Sequence, residues 1–212
     1  MSKNFWIIIA LIVVVVLGVA IFNSKKETAN NPTSTNATNH LKGKADSTVK
    51  LVEYGDFQCP ACYSYYPVVK QVAAEYGDRV SVQFRNFPLS IHLNARAASR
   101  AAEAASKQGK FWEMHDLLFE NADPNGKTGW VSSNAPTTFF NTFAKEIGID
   151  VEQFKTDFAS NEINSRVNAD LAAGEKLGVE GTPTFFLDGK KISVNASIDE
   201  FRKALDAALA KQ

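Results

Sequence analysis

The sequence contains very little cysteine or histidine. Its 212 residues include two cysteines and three histidines. A structural zinc site needs four tetrahedral ligands, and no two of the histidines lie at ligand spacing. A framework of stabilising disulfides needs several widely spaced cysteine pairs. We therefore expect neither a metal site nor a disulfide-stabilised fold. The histidines are His40, His92 and His115.

An excess of charge of either sign is also missing. The 23 lysines and arginines are balanced by 23 aspartates and glutamates. No basic stretch is interleaved with aromatic residues, so nucleic acid is not expected as a partner.

The two cysteines lie close together, as Cys59-Pro60-Ala61-Cys62. A bridge between them would close too short a loop to stabilise the fold much. An apolar run precedes the pair and a helical pattern follows it, and Pro60 suits a first helical turn. Both sulfurs can then lie at a helix N-terminus, which favours a thiolate. This pattern predicts a reversible dithiol/disulfide couple; two inert buried cysteines are the alternative.

The N-terminus carries a long apolar run. Residues 5–22 contain no charge, and as a helix of about 27 Å they would nearly match the hydrocarbon core of a membrane. We interpret the run as an uncleaved single-pass anchor, and a signal peptide cleaved after Ala20 is the alternative. The flanking lysines do not settle its orientation. Because disulfides persist outside the cytoplasm, the dithiol places the domain on the outer side of the cell membrane.

A polar segment separates this run from the rest of the chain. Residues 23–48 are rich in asparagine, threonine and serine, so we predict a flexible linker. Residues 49–212 are of a size that suits one domain.

The pattern of the domain is mixed. A strand, a helix and a second strand form a predicted βαβ unit, and a mainly helical stretch over about residues 90–178 separates it from two further strands and a last helix. This is an α/β fold, a small mixed sheet with an inserted helical domain. The predicted strands are 49–54, 79–84, 184–187 and 191–194, and the first and last helices are 59–76 and 198–210.

Four segments carry a family resemblance. Residues 53–62, 84–89, 109–115 and 181–185 resemble, in this order and spacing, the DsbA-like thiol-disulfide oxidoreductases of bacterial cell envelopes. The resemblance covers the chain from residue 49 onward. It implies a thioredoxin fold interrupted by a helical domain, and the most similar forms are membrane-anchored.

The resemblance also implies roles for five residues. Cys59 would be the nucleophile and Cys62 the resolving thiol. Pro183 matches the family's cis-proline, which packs opposite the dithiol and binds a substrate strand, and Thr182 would lie against Cys59. Glu53 matches a buried acid that takes part in proton transfer to Cys62. No cofactor is required.

The predicted reaction is the donation of a disulfide to unfolded secreted proteins, followed by reoxidation by a membrane partner. Ala61 replaces a histidine of the best-known member, which leaves the oxidising strength open. A reductase or isomerase in the same compartment, or a tethered peptide-binding chaperone, remains an alternative. Three further residues, His92, Trp112 and His115, are expected to serve packing or capping. The loop at residues 123–126 offers oxygens for a structural cation but lacks a complete calcium-loop pattern.

Overall fold

The computed structural model describes residues 37–212. The predicted membrane anchor at residues 5–22, and the predicted linker as far as residue 36, lie outside the described residues. Within residues 37–212 no helix is both long and apolar enough to cross a membrane.

The centre of the domain is a five-stranded mixed sheet in the order β1-β3-β2-β4-β5. The central strands β2 and β3 are parallel, and every other neighbouring pair is antiparallel. The strands are β1 (His40–Gly43), β2 (Val49–Gly55), β3 (Val80–Asn86), β4 (Thr184–Leu187) and β5 (Lys190–Ile192).

Helices connect and cover the sheet. The first, α1 (Pro60–Glu75), joins the parallel strands β2 and β3, and the last is α8 (Ile198–Leu209). The stretch between β3 and β4 is helical, in the region where an inserted helical domain is predicted. Its helices are α2 (Ala95–Ser106), α3 (Phe111–Glu120), α4 (Gly129–Ser132), α5 (Pro136–Glu146), α6 (Val151–Ala159) and α7 (Asn161–Lys176).

The core lies on both faces of the sheet. On one face, Val49 and Leu51 of β2 pack with Phe201 and Leu205 of α8, all fully buried. On the other, Phe84 of β3 packs with the alanine-rich helix α2 and the aromatic residues of α3. Because alanine side chains are small, α2 can approach its neighbours closely and lie in the middle of the helical layer.

A tight hairpin joins β4 to β5. Asp188 and Gly189 both have positive φ, at 50° and 76°. Two-residue turns of this kind match the twist of antiparallel strands, and an aspartate followed by glycine tolerates the left-handed backbone. The predicted turn at these two residues is confirmed.

The prediction of a flexible linker is wrong for residues 38–48. Strand β1 pairs with β3 along the edge of the sheet. Thr38 donates its backbone N–H and its hydroxyl to the buried carboxylate of Asp170, both at 2.7 Å. His40 hydrogen-bonds to the buried Glu103 at 2.7 Å. An edge strand held by backbone and polar bonds needs few apolar residues, so a polar composition does not distinguish it from a linker.

Candidate active site

The two cysteines lie at the N-terminus of α1. Cys59 is the N-cap residue, with an extended backbone, and Pro60 begins the helix. Cys59 is 7% exposed, whereas Cys62, one turn further in, is fully buried. The sulfurs are not bonded to each other, so the structure represents the dithiol form. Both cysteines are therefore buried, but Cys59 keeps a small exposed area and Cys62 has none.

The pKa of Cys59 is lowered from 9.0 to about 5. The largest cause is a hydrogen bond with the Cys62 side chain, and the side chain of Thr182 and the backbone N–H groups of Ala61 and Cys62 add to it. Burial opposes these effects. Unpaired N–H groups at a helix N-terminus stabilise a negative charge there, so a thiolate at Cys59 is favoured.

The pKa of Cys62 moves the other way and lies well above its usual value. Burial is the main cause, and the hydrogen bond with Cys59 and the negative charge of Glu53 raise the pKa further. The backbone N–H of Asp56, 3.4 Å from the Cys62 sulfur, has a smaller opposing effect. The pair therefore loses its first proton from Cys59, and Cys62 remains a thiol.

The segment before β4 lies opposite Cys59. The Thr182–Pro183 peptide bond is cis. The Cys59 thiol donates to the carbonyl oxygen of Thr182 at 3.3 Å. The hydroxyl of Thr182 is buried and, with Cys59 protonated, has no hydrogen-bond partner within residues 37–212. The carbonyl stabilises the protonated thiol, whereas the hydroxyl is a donor available to the thiolate.

Glu53 lies on β2 and is 4% exposed. Its pKa is raised from 4.5 to about 8, first by burial and then by the negative charge of Cys59. No group of the described residues donates a hydrogen bond to its carboxylate. A buried carboxyl without donors keeps its proton near neutral pH.

One residue of the site, Asp56, was missed from the sequence. Asp56 is fully buried, and its carboxylate accepts hydrogen bonds from the backbone N–H of Gln58 and of Leu89, at 2.7 and 2.9 Å. His92, expected to pack or cap, lies 2.7 Å from the same carboxylate. Through these hydrogen bonds, Asp56 connects the loop after β3 to the start of α1. The only signal in the sequence was its position at the end of a strand, three residues before Cys59.

His115 and Trp112 lie on α3, beside the site rather than in it. The His115 ring packs against Phe84 and Phe119, with centroids 4.8 and 5.1 Å apart. Its Nδ1 atom is 3.0 Å from Asp116, and burial lowers its pKa. The Trp112 indole N–H donates to the Leu41 carbonyl at 2.9 Å, which joins α3 to β1.

Within residues 37–212, no cluster of three or more histidine, cysteine, aspartate or glutamate residues could hold a metal ion. The carboxylate of Asp123 instead accepts hydrogen bonds from the backbone of Asn125, Lys127 and Thr128 in its own loop.

Comparison with known proteins supports the same chemistry. Residues 35–207 match the family model described as Thioredoxin. The chain is 34% identical over 209 residues to "Probable disulfide bond formation protein D" of Bacillus cereus, covering 96% of this chain and 94% of that protein. It is 33% identical over 172 residues to "Na(+)/H(+) antiporter NhaA 3" of Salinispora tropica, covering 81% of this chain but only 25% of that protein.

Solved structures agree with the sequence comparison. Oxidised BdbD from Bacillus subtilis superposes with a TM-score of 0.66 at 27% identity, over 80% of this chain and 92% of that chain. The predicted thioredoxin fold, with its mixed sheet and additional helices, is confirmed. From its fold, its paired cysteines and its relatives, the chain belongs to the DsbA-like thiol-disulfide oxidoreductases of the thioredoxin family.

Proposed function

We propose that this protein donates disulfide bonds to unfolded proteins outside the cytoplasm. The oxidised Cys59–Cys62 pair transfers its bridge to two substrate thiols, and a membrane redox partner then reoxidises the pair. The name of the Bacillus cereus relative, a probable disulfide bond formation protein, supports this direction. The chemistry requires no cofactor.

The observation that carries the proposal is the lowered pKa of Cys59, about 5. Groups that stabilise the Cys59 thiolate stabilise the reduced protein relative to the disulfide form. A protein whose reduced form is stabilised in this way is a strong oxidant. The hydrogen-bond donors around Cys59 therefore favour release of the disulfide to a substrate.

The reaction proceeds through two thiol-disulfide exchanges. A substrate thiolate attacks the Cys59 sulfur, and the bond from Cys59 to Cys62 breaks with Cys62 as the leaving thiolate. A second substrate thiolate then attacks the substrate sulfur of the mixed disulfide and expels Cys59 as a thiolate. The substrate loses two electrons and the protein gains them. In reoxidation, Cys62 attacks a mixed disulfide on Cys59.

Three residues assist these steps. Glu53, with a pKa of about 8, supplies a proton to the departing Cys62 and accepts it again on reoxidation. The Thr182 hydroxyl donates to the Cys59 thiolate. Pro183 has no N–H of its own and begins the segment that would pair with an extended substrate beside Cys59.

The location is also part of the proposal. Residues 5–22 would anchor the protein in the cell membrane as a single span, with the thioredoxin domain on the outer side. This arrangement would keep the dithiol in a compartment where disulfides persist and near a membrane redox partner.

The reduction potential of the pair tests the direction. Equilibration with glutathione should give a potential well above the approximately −270 mV of thioredoxin, and the reduced form should unfold at a higher temperature than the oxidised form. A potential at or below that of thioredoxin, with a more stable oxidised form, would overturn the proposal in favour of a reductase or isomerase. A Cys59→Ser, Cys62→Ser variant that still binds unfolded peptides at full affinity and is fully active in cells would instead identify a chaperone.

A further inference from the structure

A small cavity lies beside Glu53, between β2, α1 and α3. Its volume is about 20 Å³, which is room for one water molecule. The polar and charged groups on its wall come from β1, β2, α1 and α3. They are Lys42, Glu53, Tyr66, Lys70, His115 and Asp116.

Glu53 needs a route for protons to and from solvent. In the proposed reaction Cys62 takes up a proton when a disulfide is donated and releases one when the pair is reoxidised. If Glu53 handles that proton, its carboxyl must exchange with solvent once in each half of the cycle. Yet Glu53 is only 4% exposed, and no group of residues 37–212 donates a hydrogen bond to its carboxylate.

His115 and Asp116 supply a connected pair of groups on the same cavity. The Nδ1 atom of His115 lies 3.0 Å from a carboxylate oxygen of Asp116. Because a carboxylate accepts hydrogen bonds, this contact places the proton of a neutral His115 ring on Nδ1. The Nε2 atom is then unprotonated and can accept a proton. The Asp116 side chain is 22% exposed and lies 3.3 Å from Lys70. The pair therefore extends from the cavity to the protein surface.

The other polar groups of the cavity are poorer relays. The Tyr66 hydroxyl donates to Glu120 and accepts from Lys70, both at 2.8 Å. The pKa of Tyr66 is raised, mainly by burial, and that of Lys70 is raised, mainly by its hydrogen bond to Glu120. Both groups thus hold their protons throughout the physiological range. Lys42 of β1 lies 3.9 Å from Asp116 and adds positive charge beside it.

We propose that His115 and Asp116 form a proton relay between Glu53 and solvent, through one water molecule in this cavity. In the outward direction the Glu53 proton passes to the water, and a water proton passes to Nε2 of His115. The Nδ1 proton of the ring then moves to Asp116 and on to solvent. The inward direction reverses these transfers, so no proton is gained or lost. The relay rests on the proposed role of Glu53.

The aromatic surroundings of His115 are compatible with this role. The ring is held between Phe57, Phe84 and Phe119, which fix its orientation and keep bulk water away. Burial lowers the pKa of His115, so the ring is neutral near pH 7 and free to accept a proton at Nε2. His40, packed on Phe111 of α3, is a further titratable group whose charge lowers that pKa.

The test is a single-turnover reduction of the oxidised full-length protein by reduced glutathione, followed by stopped-flow fluorescence in dilute buffer over a range of pH. His115→Phe keeps an aromatic ring in the core but removes both nitrogens, and Asp116→Asn removes the outer acceptor. We expect each to slow the reaction about tenfold or more. Tyr66→Phe removes a hydroxyl from the lining of the same cavity; it is the matched control and should react at the wild-type rate.

Two further measurements separate a relay from a packing effect. In His115→Ala, added imidazole should restore the rate in proportion to its concentration, because it can enter the enlarged cavity and carry the proton. The Cys59 thiolate absorbance should titrate at the same pH in every variant, because the relay does not touch that sulfur. Wild-type rates in both His115→Phe and Asp116→Asn, or a slow His115→Ala that imidazole does not restore, would overturn the proposal.

A double-variant comparison separates the relay from the role of Glu53. In a Glu53→Gln background, His115→Phe should cause no further loss of rate, because the group that it serves is absent. If His115→Phe slowed the reaction as much in the Glu53→Gln background as it does in the wild-type protein, the relay would be refuted. A Glu53→Gln variant that reacts at the wild-type rate would instead refute the proton role of Glu53 in the proposed function.

Discussion

The thiol of Cys59 lies 3.3 Å from the carbonyl oxygen of Thr182, although the two residues are 123 positions apart in the chain. The sheet brings them together. Strands β2 and β4 are antiparallel neighbours, so the end of β2, which leads into α1, lies beside the start of β4. The N-terminus of the helix and the segment containing Pro183 therefore meet at one edge of the sheet.

The first prediction concerns the Thr182 hydroxyl. Thr182→Val keeps the shape and the carbonyl but removes the hydroxyl donor, so the pKa of Cys59 should rise from about 5 by about one pH unit. Absorbance of the thiolate during a pH titration measures the change. Thr184→Val is the matched control, since the Thr184 hydroxyl donates to the Gly181 carbonyl instead. An unchanged Cys59 pKa in Thr182→Val would show that the N-terminus of α1 and Cys62 lower this pKa without the Thr182 hydroxyl.

The second prediction concerns the two sulfurs. Cys62→Ala removes the buried thiol that resolves mixed disulfides, so substrates should accumulate on Cys59. Cys59→Ala leaves a buried sulfur with a raised pKa and should accumulate almost none. Non-reducing gels of cells that express each variant make the comparison. Equal amounts of mixed disulfide in both variants would contradict the assignment.

The third prediction concerns Glu53 and the pH dependence of stability. Its pKa is raised from 4.5 to about 8, so its neutral form stabilises the fold fully below pH 4.5, and that stability is lost as the pH rises toward about 8. Glu53→Gln does not titrate. The free energy of unfolding of this variant, relative to that of the wild type, should therefore increase over this range by a few kcal/mol and then stay constant.

Urea unfolding of the reduced proteins at several pH values measures this difference. Glu113→Gln is a control whose stability difference should change with pH in the opposite direction. The hydrogen bond from the Lys110 ammonium lowers the pKa of Glu113, so the stability that the ionised Glu113 contributes is lost at low pH instead. A difference between Glu53→Gln and the wild type that does not change with pH would show that Glu53 ionises normally in the folded protein.

The fourth prediction concerns Asp56. Its buried carboxylate accepts from the backbone N–H groups of Gln58 and Leu89 and contacts His92. Asp56→Ala leaves these buried donors without a partner, and we expect a loss of about 2–3 kcal/mol in the free energy of unfolding. Denaturant unfolding measures it. Asp78→Ala, at a side chain that is 78% exposed, is the control and should change the free energy of unfolding little. Equal losses in the two variants would show that Asp56 does not link the loop after β3 to the start of α1.

Four of the five strands and the helical insertion could be predicted from the sequence because their signals are local. Strand β4 was predicted with the bounds that the structure shows, and the Asp188-Gly189 turn follows from backbone preferences of the two residues themselves. Strand β1 could not be predicted. Its residues are polar, and what holds them is pairing with β3 and hydrogen bonds to Asp170 and Glu103, far away in the chain.

The sequence by itself determined the chemistry of the protein, because two cysteines three positions apart at the start of a helix meet through local backbone geometry alone. Only the tertiary structure decided what surrounds them. Strand pairing and helix packing between distant segments bring three pairs of residues together. Thr182 contacts Cys59, Asp56 contacts His92, and Glu53 and His115 line the same cavity. Such contacts arise from burial and hydrogen bonding over the whole domain. A local sequence pattern does not predict them.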